Sequence, residues 1–381
     1  MTNLTPGVRP AFARISTPEE AALLAVRLAE ESVTHGSFGV GGFLVDRAGQ
    51  VVAEATNAVI KDGLVQDPTA HAERQLVDWY CEARNKTLHV PTDEFVIVTS
   101  LDPCAMCAGA ILRSGLKAIA VAEDPTAGVS EGGMPHRMPR ELWHRAEKHF
   151  AFFGISGRRP RSGADLGPLF VDTVSPESLA RAERAFASSL DGTRNLVGGG
   201  NPDVVELKEH NHLSSLNSAL PKGTRLPSRN LNVTYSGDRT EIMELLTHDA
   251  SIIVDRRGQV IMGSAGAEDR SPVRSSVLEL IRAYVTVRRL VSEHGLELPH
   301  QRHCSIVKRH PPRTPEQALL EFGAVGSFLE LPRPSSPLPA LACFEWNDTA
   351  NMERWVASLP PLYTSIIGLS VGSVSPNVSP H

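Results

Sequence analysis

Long apolar runs are missing from this 381-residue chain: nowhere do eighteen apolar residues run together, so no membrane span is expected. The opening "MTNLTPGVRPAFARIS" has no apolar core of signal-peptide length, so no leader is read there. Cysteine is scarce, five residues in all, and the odd count in so long a chain excludes a disulfide framework. Cys81, Cys304 and Cys343 have no partner at short spacing and read as buried structural thiols. A reducing cytoplasm is the compartment this usage fits. Neither sign of charge dominates, with 38 Lys and Arg against 43 Asp and Glu. The formal net charge is -5, which gives no general footprint for nucleic acid and leaves only a local basic patch open.

What is present fits a soluble globular protein, with 41% apolar and 21% charged residues, and the length suits two domains. "TPEEAALLAVRLAEESVTHG" opens with Thr17, Pro18 and Glu20, an N-cap, a first-turn proline and a capping-box acid, so a helix is expected over 17–34. "FGVGGFLVD" and "QVVAEAT" read as a hairpin turning at Gly49. A helix carrying "HAERQLVDWYCEAR" follows, then the strand "EFVIVTS", the helix "AMCAGAILRSG" ending at Gly115, and the strand "KAIAVAED". The order α-β-β-α-β-α-β predicts a three-layer α/β/α sandwich. Beyond residue 125 helices are expected at 139–153 and 177–190. A linker or insertion is expected over 191–235, and a disordered tail over 366–381.

Internal similarity organises the rest. "FLVDRAGQVVAEATNA" at 43–58 resembles "IIVDRRGQVIMGSAGA" at 252–267. "DPTAHAERQLVDWY" is then followed by "SPVRSSVLELIRAY" at 271–284, and "PCAMCAGAILRSG" by "PPRTPEQALLEFG" at 311–323. The same elements recur in the same order at nearly constant offset. The chain therefore reads as two tandem copies of one α/β unit, a catalytic domain over 1–190 and a second over 236–365.

Two short fragments carry chemistry. Zinc takes imidazole nitrogen and thiolate sulfur in tetrahedral array, and a catalytic site leaves one position for water. His71, Cys104 and Cys107 supply three such ligands, and no fourth offers itself by spacing. The two thiols stand three apart at a helix start, where backbone N–H groups and the helix dipole stabilise thiolate. Glu73 lies two residues past His71, better placed to move a proton than to bind metal. Taken alone, "CxxC" is also a redox motif, half a zinc knuckle or two buried thiols.

H-x-E followed by P-C-x-x-C is the signature of zinc-dependent nucleobase deaminases. Residues 35–125 resemble the cytidine-deaminase-like superfamily, and "DPTAHAE" with "TSLDPCAMCAGAI" is most similar to the branch of guanine deaminase, yeast-type cytosine deaminase and tRNA adenosine deaminases. The resemblance implies Zn2+ held by His71, Cys104 and Cys107, with Glu73 as proton shuttle. It also implies that Asn57 hydrogen-bonds the base and that the Ala72 amide touches the substrate or the water. Phe38 and Trp143 are stacking candidates, and His35, His136 and His144 pocket candidates; all five fit ordinary core or surface roles as well.

In the second copy His71 meets Ser275, Glu73 meets Val277, Asn57 meets Gly266, and Cys104 and Cys107 meet Pro312 and Pro315. No ligand survives, so that copy is expected to be degenerate, a built-in partner making a pseudo-dimer within the chain; a homo-oligomer is the other arrangement left open. The function expected is hydrolytic deamination of a small-molecule nucleobase or nucleoside, guanine or cytosine first. A tRNA adenosine deaminase, or its partner subunit, and a zinc-supported scaffold stay as alternatives.

Overall fold

The structure is a computed structural model, and it describes residues 6–86, 94–129, 138–155, 173–199, 223–226, 246, 250–293, 298–334, 336, 338–343, 349–367 and 372–373. Helix α1 (Pro18–Thr34) begins as its sequence predicts: the Thr17 hydroxyl accepts from the Glu20 amide, and the Glu20 carboxylate accepts from the Ser16 amide at 2.6 Å. These contacts satisfy amide donors that the first helical turn leaves without partners.

Six strands form the first sheet: β1 (Val8–Pro10), β2 (Gly41–Asp46), β3 (Val51–Thr56), β4 (Phe95–Leu101), β5 (Lys117–Ala122) and β6 (Phe150–Phe152). Their spatial order is β1-β3-β2-β4-β5-β6. The β1/β3, β3/β2 and β2/β4 pairs are antiparallel, and β4/β5 and β5/β6 are parallel. Both faces are covered, so the strands are apolar on both sides. Phe43, Val45, Val96, Val98, Ile119 and Val121 pack with α1 and α5 (Pro176–Gly198). Leu44, Ile97 and Ala118 face the opposite core, against α2 (Ala72–Lys86), α3 (Ala105–Ser114) and α4 (Arg140–His149). This is the expected helix-sheet-helix layering.

Three expectations about the chain up to residue 235 need correction. The helix foreseen over 139–153 stops at His149, because the buried apolar run Phe150–Phe153 supplies β6 to the sheet edge. Helix α5 runs to Gly198, past the domain end at 190, since Ala182, Ala185, Ser189, Thr193 and Val197 continue its buried stripe. The segment 191–235 is therefore partly structured, and it also holds the strand β7 (Thr224–Arg225).

β7 belongs to a second six-stranded sheet with β8 (Ser251–Val254), β9 (Val260–Ser264), β10 (Ser305–Lys308), β11 (Leu341–Cys343) and β12 (Gly372–Ser373). Its order is β7-β9-β8-β10-β11-β12. The first three pairs are antiparallel and the last two parallel. Order and direction repeat those of the first sheet. The tail expected to be disordered from 366 instead completes this sheet through β12, pairing with β11; residues 374–381 lie outside the described residues. Helices α6 (Ser276–Glu293), α7 (Pro315–Leu329), α8 (Thr349–Ala357) and α9 (Pro361–Ile367) accompany it.

One core joins the halves. Ala108, Ile111 and Leu112 of α3 share it with Leu320, Phe322 and Phe328 of α7. The crossing is reciprocal and very close. A Cβ on Gly109 would lie 2.4 Å from the Leu320 amide nitrogen, and one on Gly323 2.1 Å from that of Met106. Only glycine permits this approach. Ion pairs cross the same seam: Arg113 with Glu268 at 2.8 Å, Arg282 with Asp67 at 3.1 Å, and Arg145 with Glu316.

Candidate active site

The loop before α2 is held from below. The Asp67 carboxylate accepts from the Thr69 amide and hydroxyl, and Arg74, fully buried, donates to the Thr69 carbonyl at 2.6 Å. Burial alone would raise the Asp67 pKa, but Arg282 and Arg74 outweigh it and hold the carboxyl below its ordinary value. "DPTAHAER" is thus a self-bracing turn that delivers His71 and Glu73 at the head of α2. On the other side β4 ends at Leu101, and Cys104 stands at the N-cap of α3, with Cys107 in its first turn.

These two helix starts bring His71, Cys104 and Cys107 together, with one donor atom of each within 4.8 Å of the others. Cys104 Sγ lies 3.5 Å from His71 Nδ1. Zinc bonds of about 2.3 Å to sulfur and 2.0–2.1 Å to nitrogen, at a tetrahedral angle, put those atoms roughly 3.5 Å apart. Burial would lower the His71 pKa, but the Cys104 thiolate outweighs it and holds the imidazole above its ordinary value. Cys104 is pulled well below the ordinary thiol value by its hydrogen bond from Cys107 and by His71. Cys107 is pushed well above it by burial and by that neighbour. Two thiolates beside a buried carboxylate are costly unless a cation sits among them. The donor set fits zinc.

Glu73 is buried beside the three ligands without being one of them. Thr99 Oγ1 donates to its Oε1 at 2.9 Å, and Cys107 Sγ lies 3.4 Å from its Oε2. Burial, then the Cys104 thiolate, raises its pKa. Asn57, at the end of β3, is buried with its orientation decided by its neighbours. Its Oδ1 accepts from Ser37 Oγ at 2.6 Å and from the Val59 amide at 3.1 Å, and Nδ2 has no partner among the described residues.

His71, Glu73, Asn57 and Cys104 line one cleft, and Cys107 lies outside its lining. Ala72 is buried between His71 and Glu73 but is not among the lining residues. Phe38 does line the cleft, with its ring centroid 6.0 Å from that of His71. Trp143 packs against the core instead; His35 caps α1 and His144 is exposed on α4. His136 lies outside the described residues. The rest of the lining was not foreseen: Asp102 and Asp124, Phe186, Leu190 and Arg194 from α5, Ser327 and Glu330 at the end of α7, and Leu362 and Tyr363 from α9. The last four come from the second half, and nothing local in their sequence marks them.

Residues 15–123 match the family model of the cytidine and deoxycytidylate deaminase zinc-binding region. This segment belongs to that family. Its curated relatives agree in kind. Guanine deaminase of Bacillus subtilis is 34% identical over 108 residues, which cover 28% of this chain and 65% of the relative. A tRNA-specific adenosine deaminase of Haemophilus influenzae is 39% identical over 93 residues, 24% of this chain and 50% of the relative. A probable cytosine deaminase of Schizosaccharomyces pombe is 32% identical over 93 residues, 24% and 52%. The chain thus spans about half to just under two-thirds of these relatives. Among solved structures, one from studies of A-to-I editing by tRNA:A34 deaminases is 30% identical, covering 32% of this chain and 88% of that one, at a TM-score of 0.27. The B. subtilis guanine deaminase structure is 34% identical, covering 28% and 64%, at 0.24. The zinc-binding deaminase segment ends just after β5, so α5 and the whole second half lie beyond it. Among the described residues no helix is long and apolar enough to cross a membrane.

Proposed function

We propose that the chain hydrolytically deaminates a small aminated heterocycle, a free base or nucleoside of the guanine or cytosine type. The supporting observation is the convergence of His71, Cys104 and Cys107 with a buried, non-ligating Glu73. Zinc held by those three residues would supply Lewis-acid activation of water. The reaction exchanges an exocyclic C–N bond for C–O, consuming water and releasing ammonia. Glu73, its pKa raised by burial, is suited to accept a proton from water and pass it to the departing amine. Thr99, donating to Oε1, fixes the carboxyl for that task. Asn57 Nδ2 offers a donor to a carbonyl or ring nitrogen of the base. A tRNA substrate would need an open approach, whereas α5, α7 and α9 wall this cleft.

The test is ammonia release from a panel of bases and nucleosides, using zinc-loaded protein and Glu73→Ala. Turnover should fall by about 10²–10⁴-fold with zinc retained. Unchanged behaviour of the variant supports a scaffold in which zinc merely holds the fold.

We propose further that the second half is a non-catalytic copy of the first. The repeated sheet order supports this, as does the reciprocal α3/α7 crossing. If Gly109 and Gly323 are equivalent, the counterpart of Cys107 moves from Pro315 to Glu321. That carboxylate is buried; Lys308 Nζ donates to both of its oxygens at 2.8 Å, and Gln317 Nε2 donates to Oε1 at 3.1 Å. An internal ion pair then stands where the first half places its thiolate.

A further inference from the structure

The second half does more than cover the cleft. Glu330 follows the last residue of α7 and is only 8% exposed, yet its carboxylate lines the cleft that holds His71, Glu73 and Asn57. Its backbone is left-handed, with φ of 54°. That conformation closes α7 as its C-cap, with the Glu330 amide donating to the Gly326 carbonyl, and costs on the order of 1 kcal/mol for a residue with a long side chain. Its nearest cation is Arg194 of α5, at 3.6 Å, beyond hydrogen-bonding distance. Arg194 Nε itself finds no hydrogen-bond partner among the described residues.

The same lining holds Asn57, whose buried Nδ2 donor has no partner among the described residues. Besides His71, Cys104, Glu73, Asp102 and Asp124, the cleft presents the orphan Asn57 donor and the Glu330 carboxyl, whose pKa burial raises to about 7 and which is an acceptor above it. An acceptor and an N–H on the same heterocycle complement that pair. At the nitrogen that a nucleoside bonds to its sugar, a free base carries a ring N–H instead; guanosine keeps its other ring N–H, so the discrimination is made at the glycosylated position. A buried carboxylate facing the blocked nitrogen would be left without its partner, which costs more than the hydrogen bond itself contributes.

We infer that Glu330, supplied by the non-catalytic half, accepts a hydrogen bond from a ring N–H of the substrate and so selects free bases over nucleosides. This rests on the deaminase reading of the same cleft. Glu330 is a specificity-determining residue, and the acid that moves protons remains Glu73. Tyr363 of α9 supports the same wall. Its ring lies against the bare Cα of Gly326, and its hydroxyl interacts with the Cys104 sulfur.

The experiment compares guanine with guanosine, and cytosine with cytidine, on zinc-loaded wild type, Glu330→Gln and Glu330→Asp. Wild type should prefer the free base. Glu330→Gln should lose about 10–100-fold in kcat/KM on the free base, mainly through KM, as for a hydrogen bond to a charged group. Its loss on the nucleoside should be no more than about 3-fold. Glu330→Asp keeps the charge and tolerates left-handed backbone, so it should recover part of the loss and guards against misfolding of the first variant. Zinc content and melting temperature report an intact fold. A wild-type preference for nucleosides, or an equal loss on all four substrates, overturns the inference. If wild type releases no ammonia from any of them, the deaminase reading fails, and equilibrium binding of guanine then decides this one. Binding weakened by Glu330→Gln upholds the contact, while equal or absent binding overturns it.

Discussion

Gly323→Ala tests whether the two halves act as one unit. The added methyl would lie 2.1 Å from the Met106 amide nitrogen and 2.6 Å from its Cα, whereas ordinary contact begins near 3.4 Å. The obstructing atoms are backbone, so they cannot rotate away. The helices must part by about 1 Å, and such overpacking costs roughly 1–3 kcal/mol. With an unfolding entropy of about 2 cal/mol/K per residue, each kcal/mol lowers the Tm of a 381-residue chain by roughly 1.3 °C, so a fall of about 1–4 °C is expected. Function should suffer more than stability. α3 carries Cys107 and α7 leads into Glu330, and a displacement of about 1 Å at a reacting centre can cost on the order of 10²-fold. Gly192→Ala is the control: that glycine sits exposed within α5, and nothing lies within 4 Å of an added Cβ. It should stabilise the helix by about 0.5–1 kcal/mol. Thermal melts by circular dichroism and kcat/KM for the best substrate make the comparison. A Gly323→Ala protein that melts within 1 °C of wild type and turns over normally would refute the close-packed seam as a determinant of the site.

Further expectations concern charge. Asp67→Asn leaves Arg74 and Arg282 buried without their shared carboxylate, so a loss of about 3–5 kcal/mol is expected in chemical denaturation. Because the folded Asp67 pKa lies below its unfolded value, its contribution is present above the unfolded pKa and disappears as pH falls through the folded one. Acid unfolding of the variant should accordingly be less steep. His300 behaves as a buried neutral histidine whose pKa is lowered to about 4 by burial and by Arg288. The unfolded chain binds the extra proton between that value and 6.5, so stability should rise with pH across this window, by up to about 1.4 kcal/mol per pH unit; His300→Gln should flatten the rise. In the second half, Glu321→Ala should destabilise strongly by leaving the Lys308 ammonium unpaired, while Lys308→Met with Glu321→Leu should be near neutral. A larger loss in the double variant than in the single would contradict that account.

The sequence was most legible where chemistry is local. His71, Glu73, Cys104 and Cys107 stand in two short fragments, and metal binding restricts both residue type and spacing. Thr17, Pro18 and Glu20 announced α1 because capping is settled within one turn. Legibility failed where long-range packing decides. Phe150–Phe153 is a short apolar run, equally compatible with a helix end and a strand, and only the open edge beside β5 makes it β6. The small-residue stripe that carries α5 to Gly198 fits α1, a partner more than 140 positions away in the chain. Glu330 and Tyr363 reach the cleft because Gly109 and Gly323 let α3 and α7 touch. No pattern around either residue shows it, and aligning "PCAMC" with "PPRTP" points elsewhere.

X-ray absorption at the zinc edge of the purified protein tests the central claim most directly. One zinc per chain is predicted, with two sulfur neighbours at about 2.3 Å and two nitrogen or oxygen neighbours at about 2.0–2.1 Å. Metal-free protein after zinc loading, or a shell of four protein donors with no position open, would contradict it.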